Sequence, residues 1–568
     1  MTEARPAVTP RGETHPLVPF LLGEATAAMA AHRYTQALAL LTKAFLAAPE
    51  SPRTFPPLAG ICQFLRRWDD VERFSRMRLA CCPDDVTAWY HLAGADLSRQ
   101  RFLTGLAFLQ ETVARDPHYV SAWIDLGCVW KKLREIRRAI DSFQRAVDLD
   151  PTSLIAHDGL VFTMLFSDHY TPAELFKAHL AWNSRHGALP PRPPAAPPLP
   201  AERLRIGYLS PDFREHSVAL FIEPVLASHD RSRFEIYCYH THPDPDAVTA
   251  RIRSRVEHWR DIAEMGDDEA EALIRADGLH ILVELAGHTA WNRLPLLARR
   301  PAPVQVTWLG YPHSTGMTAV DYRITDAVAD PPGMSDQWHT ERLVRLPAPF
   351  ITFQPPEAPQ PSQSVPCSRN GYITLASFNN LAKVSSTILA CWRDILVRLP
   401  DARLLLKAEV FDDQEATRMV VERLGIPSER LLPLGKTPDR SAHLALYGQV
   451  DIALDTFPYN GTTTTCEALY MGVPVVSLAG QTHAARVGAT LLGTVGLADL
   501  VTETGAGYVE AVVGLAHDMP RLLWMRHNLR DLVARSPLMD HRGFTAALEA
   551  EYRLMWQRRL DDAQVPGR

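Results

Sequence analysis

Pro49, Pro83, Pro117 and Pro151 stand 34 residues apart, three intervals in succession, and no other feature restricts the fold of this chain so tightly. That length is the period of a tetratricopeptide helix pair. Other positions keep the same phase: Leu58, Leu92, Leu126 and Leu160 follow each proline by nine residues, and Phe55, Trp89 and Trp123 by six. The spacing predicts a helical solenoid in the first third of the chain, opening near Leu17, with Ala37, Leu41 and Ala44 forming a packing face at helical intervals. Stacked helix pairs present a concave surface to another chain. The remaining two thirds are therefore expected to act on a protein or peptide.

The repeats are uneven. The unit ending at Pro151 carries Trp123, Leu126, Gly127, Ala139, Phe143 and Ala146 at the large and small positions two packed helices need, whereas the unit ending at Pro83 has Val71, Ser75 and Arg78 there and reads as degenerate. A further helical stretch, Ala173 to Trp182, precedes Pro190 to Pro200, where seven prolines in eleven residues predict a stiff connector. Beyond it, short apolar runs alternate with helical stretches, the pattern of parallel sheets flanked by helices. Expected strands are Leu204 to Leu209, Phe234 to Tyr239, His280 to Leu285, Val304 to Leu309 and Tyr322 to Thr325, then Tyr372 to Ser377, Arg403 to Lys407, Leu431 to Leu434, Ile452 to Leu454 and Val475 to Leu478. The expected organisation is repeats and junction helices over 17–189, a linker over 190–200, one Rossmann-like half over 201–346, a second linker over 347–370 and a second half over 371–560. Two doubly wound halves place a ligand in the cleft between them, beyond the carboxyl ends of their strands.

Composition narrows the partners. A net charge of -6 over 568 residues gives no basic field for nucleic acid. Eight cysteines without a C-x-x-C pair suggest neither a zinc cluster nor a disulfide framework, and fit a reducing compartment. The start of the chain lacks a basic, then apolar, leader, and no run reaches 18 uncharged apolar residues. A cytoplasmic protein with no membrane partner is expected.

Four segments carry candidate chemistry. In Asp455 to Glu467, a glycine and four consecutive threonines run from a strand into a helix start, where free N–H groups and hydroxyls suit a diphosphate and Glu467 suits ribose hydroxyls. Asp212 and His216 follow the first strand of the first half, as proton-transfer groups of such folds do. Lys383 ends the segment Phe378 to Lys383, where an ammonium can neutralise a departing phosphate. Trp308 to Gly316 is a turn whose glycines allow close backbone approach to a ligand. Each has a plain structural alternative: a Thr-capped helix, a structural strand-end pair, a solvated lysine, a glycine-bearing loop. Asp244-Pro-Asp246 spells a cation-holding D-x-D, but it lies in a proline-rich loop far in sequence from the threonines, so no metal is expected.

Taken in order, these segments resemble the O-linked N-acetylglucosamine transferase family, glycosyltransferase family 41, in its bacterial Xanthomonas form. The resemblance implies a GT-B fold, a UDP-N-acetylglucosamine donor, inversion at the anomeric carbon, no metal or other cofactor, and Ser or Thr hydroxyls of a protein or peptide as acceptors. By this resemblance Lys383 neutralises the diphosphate, Arg440 and His443 border the uridine, Glu467 binds the ribose and Asn380 adds a polar contact. Thr462, Thr463 and Thr464 hold phosphates and sugar; Leu309, Gly310 and Pro312 line the sugar pocket; Asp212, His216 and the junction residue His157 are implicated in catalysis. The chain departs from the animal enzymes at Ala382 (Tyr there), Arg440 (Lys), Thr462 (His) and Glu467 (Asp), has a short solenoid, and lacks their insertion between the halves. Transfer from UDP-glucose or another UDP-sugar, and an inactive nucleotide-binding scaffold, are the competing readings.

Overall fold

The computed structural model describes residues 16–187, 203–347 and 349–564, with the side chains of 563 and 564 left aside. The proline-rich connector 190–200 lies outside the described residues. From Leu17 to Met164 the chain is a run of antiparallel helices, each proline of the 34-residue series opening the turn before a new pair. The six-residue offset has a local cause: the Trp89 and Trp123 indoles donate back to the carbonyls of Pro83 and Pro117 at 2.9 and 3.0 Å. The turns inside the pairs keep the same period, since His32, Arg66, Gln100 and Arg134 all adopt a left-handed backbone with φ between 54° and 63°. Gly127 and Gly159 serve packing: a Cβ at either would come within 2.7 and 2.4 Å of the Phe143 ring. The unit that reads as degenerate folds like the others. Its Arg78 is buried and replaces apolar packing with polar ties, to the Asp85 carboxylate at 2.6 Å and the Pro49 carbonyl at 2.7 Å.

The first sheet contains β1 (Leu204–Ser210), β2 (Phe234–His240), β3 (His258–Asp261), β4 (Ile281–Glu284), β5 (Val304–Thr307), β6 (Tyr322–Asp326) and β7 (Arg342–Leu346), all parallel, in the order β3-β2-β1-β4-β5-β6-β7. The second contains β8 (Thr374–Ser377), β9 (Arg403–Lys407), β10 (Leu431–Leu434), β11 (Ile452–Leu454), β12 (Val475–Leu478) and β13 (Val501–Thr502), also parallel, in the order β10-β9-β8-β11-β12-β13. The sequence reading missed β3, β7 and β13. These are outer strands, and an outer strand does not need the unbroken apolar run that burial on both faces demands. β3 is half exposed, β7 carries Arg342 and Arg345 among its apolar residues, and β13 has two residues.

Strand order reverses between β1 and β4 in one sheet and between β8 and β11 in the other. Loops leaving those four strands therefore collect at two facing crevices. The stretch assigned to the second half through residue 560 divides: helix His541–Gln564 returns to the first half. Its Phe544, Leu548, Tyr552 and Met555 form an apolar stripe buried with Tyr208, Val306 and Trp308 of the first core. Glu549 on this helix accepts from the His229 ring at 2.9 Å. Among the described residues no helix is long and apolar enough to cross a membrane.

Candidate active site

Between the two crevices lies a cleft of about 570 Å³, lined by Asp212, His216, Leu309, Gly310, Pro312, Asn380, Lys383, Thr462, Thr463 and Thr464. Each reaches it for a local reason. The loop after β1 turns sharply because the Ser210 hydroxyl accepts from the Asp212 amide at 3.0 Å. Asp212 is buried, and His216 Nδ1 lies 3.4 Å from its carboxylate. Burial raises the Asp212 carboxyl to about 7, with Arg214 opposing, and lowers the His216 ring to about 4, with Arg214 and Arg440 adding to the effect. Both groups thus lean toward their neutral forms. The Val218 amide donates to His216 Nδ1 at 3.3 Å, which in the neutral ring favours the proton on Nε2.

The turn after β5 is held by contact. Leu309 has a left-handed backbone, φ 75°. A Cβ on Gly310 would fall 1.8 Å from the Leu285 carbonyl oxygen, so the turn lies directly against the end of β4. Tyr311 points away from the cleft and hydrogen-bonds His179 Nε2 at 2.8 Å, while His179 Nδ1 donates to the Leu175 carbonyl at 2.7 Å. Helix Pro172–Trp182 thereby braces the back of this wall.

Across the cleft, Asn380 caps the short turn Leu381–Lys383 by accepting from the Ala382 amide at 3.0 Å. Lys383 Nζ donates to the Asn460 carbonyl at 3.0 Å and sits 4.0 Å from the centre of the Tyr459 ring. Burial pulls its pKa down, and nearby Asp455 pushes the other way. Asp455 accepts from the Thr456 and Gly461 amides and the Ser477 hydroxyl, all within 2.8 Å, which fixes the loop leading into helix Thr463–Tyr470. Thr462 at the start of that helix makes no side-chain cap. Thr464 donates instead to the Asn379 side chain at 3.0 Å. The first-turn amides keep their partial positive charge toward the cleft.

Four expected site residues do not line the cleft. His157 sits in helix Leu154–Met164, its Nδ1 3.1 Å from His186 Nε2, with burial lowering its pKa to about 3. His443 faces Glu467, which lies on the threonine helix itself, at 3.2 Å, and Arg440 opens onto a neighbouring cavity. The D-x-D carboxylates are engaged structurally: Asp244 pairs with Arg66 at 2.7 Å, and Asp246 caps helix Ala247–Arg253. The sequence reading also missed wall residues. Phe162 reaches the cleft from the last solenoid helices, and Arg214, His242, Trp291 and His483 from the first and second halves. Tyr459 lay within a quoted motif, but its ring contact with Lys383 depends on folding. His483 spans the halves, binding the buried Asp330 carboxylate at 2.7 Å.

The family model for glycosyl transferase family 41 matches residues 193–354 and 365–548. SPINDLY proteins of Solanum lycopersicum and Petunia hybrida, each named "Probable UDP-N-acetylglucosamine--peptide N-acetylglucosaminyltransferase", are 43% identical over 430 residues, covering 74% of this chain and 46% of each relative. The chain thus spans less than half the length of these relatives. A lysine-to-methionine variant of the O-GlcNAc transferase of Thermobaculum terrenum superposes with a TM-score of 0.82 at 37% identity, covering 90% of this chain and 98% of that one.

Proposed function

This chain belongs to glycosyl transferase family 41, and from that premise we propose that it moves N-acetylglucosamine from UDP-N-acetylglucosamine to Ser or Thr hydroxyls of a peptide or protein, with inversion and without a divalent ion. One juxtaposition carries the reading: Lys383 and the uncapped helix Thr463–Tyr470 face Asp212 and His216 across one cleft. The first pair suits a diphosphate leaving group, the second a hydroxyl losing its proton. The short solenoid and the linker of ordinary length between the halves support the bacterial Xanthomonas form. The plant relatives and the Thermobaculum enzyme, by their names, support the donor and acceptor classes.

In this scheme the acceptor oxygen attacks the anomeric carbon as the bond to UDP breaks. Negative charge grows on the diphosphate, where the Lys383 ammonium and the amides of Thr463 and Thr464 stabilise it. The acceptor proton leaves late. When Asp212 ionises, its carboxylate draws the His216 ring proton to Nδ1 across 3.4 Å, and Nε2 becomes an acceptor. Asp246 caps a helix, Asp244 pairs with Arg66 at the surface, and neither lines the cleft, which favours transfer without a cation held by this D-x-D. His443 and Glu467 are assigned to the nucleoside end, where a nucleotide would have to displace their mutual contact to reach Glu467, whereas Arg440, which the family resemblance puts beside the uridine, turns to the neighbouring cavity. Phe162 puts the mouth of the cleft beside the solenoid, and an acceptor chain is proposed to enter there.

The test is a panel of UDP- and GDP-linked sugars, isotopically labelled, incubated with the protein and a host lysate, with modified peptides read by mass spectrometry. Transfer of N-acetylglucosamine that persists in EDTA supports the proposal. Preference for another sugar would reassign the donor, Thr462 in the cleft wall being the residue to examine first. Nucleotide binding with no transfer over days would make the chain a scaffold.

A further inference from the structure

A second cavity, of about the same size at 540 Å³, adjoins the cleft and shares Arg214 and His216 with it. Lys383 and Thr462 to Thr464 are absent from its walls, so a diphosphate held by them does not fill it. Its lining is rich in arginine. Arg251 and Arg255 are already committed to Glu223, at 2.6 to 3.1 Å. Arg214 is not: among the described residues it makes no hydrogen bond or ion pair, and its Nε is buried. Arg440 has a buried Nη1 without a partner, and its nearest carboxylate, Glu215, stands 3.9 Å from Nε on a largely exposed side chain. Glu357 is the other acid on this wall. The loop bearing Arg214 is fixed, since Asp246 accepts from the Glu215 amide at 2.7 Å. Both guanidinium groups act on the His216 ring, lowering its basicity.

Two guanidinium groups on the wall of one cavity, each with a buried donor left unmet, are stabilised by an oxyanion that takes a hydrogen bond from each. We propose that Arg214 and Arg440 form a second oxyanion subsite, filled by a carboxylate side chain of the acceptor a few residues from the hydroxyl modified beside His216. This rests on the reading of the chain as a peptide-modifying transferase. Its consequence is that acidic residues near the target hydroxyl raise the rate.

The experiment walks one Asp or Glu through each flanking position of a peptide with a single Ser, and compares kcat/KM with the Asn or Gln peptide at that position. Wild type is expected to favour the acid about tenfold or more at one or two positions, the worth of one charge-assisted hydrogen bond. In Arg214→Gln and Arg440→Gln that acid-to-amide ratio is expected to fall toward one, while Arg214→Lys retains part of it. The ratio is internal to each variant, so a general loss of activity does not move it. A wild-type ratio near one at every position overturns the subsite. Titration with UDP separates the sources: if Arg214→Gln weakens UDP tenfold and leaves the ratio intact, the oxyanion is the donor's and the acceptor assignment is overturned. Wild-type protein that modifies no peptide at all refutes the proposed function instead.

Discussion

Replacing Lys383 with methionine removes one charge and keeps nearly the same side-chain length, so it isolates the electrostatic part of the proposed transfer. Lys383 Nζ is held by the Asn460 carbonyl at 3.0 Å and the Tyr459 ring at 4.0 Å, so the ammonium has little freedom to withdraw from the cleft. Two unit charges about 4 Å apart at an effective dielectric of about 20 interact by about 4 kcal/mol. If that full amount appears only as charge develops on the diphosphate, the rate falls about 10³-fold. The ground state already has a charged diphosphate, so part of the interaction is present before reaction, and a loss of about 10²- to 10³-fold in kcat is expected. The fold should survive. Asp455, the carboxylate nearest in charge to Lys383, keeps its donors at Thr456, Gly461 and Ser477. Single-turnover transfer at saturating donor, with a thermal melt and a UDP titration alongside, reads the three quantities separately. A variant within about a factor of two of wild type refutes the role given to Lys383. A second signature is the alkaline limb: because burial lowers the Lys383 pKa, wild-type rate should fall with rising pH before the ordinary lysine value of 10.5 is reached.

Further outcomes follow from the structure. With the Asp212 carboxyl raised to about 7, kcat/KM should climb as pH rises through that value, the limb should vanish in Asp212→Asn, and His216→Ala should cost about 10²-fold or more. The stability sign is opposite: a carboxyl raised above its ordinary 3.8 favours the fold when protonated, and that contribution fades as pH rises through about 7, so Asp212→Asn should melt above wild type at pH 8 but not at pH 4. Gly310→Ala places a Cβ 1.8 Å from the Leu285 oxygen; overpacking of about 1–3 kcal/mol should displace the turn, lowering affinity for the UDP-sugar relative to UDP in calorimetry, and an unchanged ratio would remove the turn from the sugar wall. Arg78→Ala strips the partner from Asp85 and from the Pro49 carbonyl inside the solenoid, and a loss of about 3–5 kcal/mol in urea unfolding is expected, whereas a loss under 1 kcal/mol would mean that water satisfies both groups.

The architecture was largely legible because its signals are local. A 34-residue period survives even where Arg78 replaces an apolar residue, since the turn prolines and in-phase aromatics, not the whole repeat, carry it. Inner strands such as Ile281–Glu284 and Arg403–Lys407 announce themselves by apolar runs, whereas His258–Asp261 and Arg342–Leu346 do not, being outer strands with partly solvated faces. Helix His541–Gln564 shows an apolar stripe in sequence but not which half it covers. In the site, strand-end position marked Asp212, His216, Lys383 and the threonines. It did not mark Phe162, which arrives from another domain, nor the separation of Arg440, His443 and Glu467 from the cleft wall.

By itself, then, the order of residues determined the helical repeat, the two parallel sheets and the loops in which charge and hydroxyls collect, because turn chemistry and hydrophobic period act over a few residues. Tertiary structure alone decided which loops face each other, because strand order reverses at β1/β4 and at β8/β11 and no local signal encodes that reversal. It also decided which charges are satisfied. Arg251 and Arg214 are the same residue type, and only the folded chain gives one a carboxylate and leaves the buried Nε of the other without a partner among the described residues.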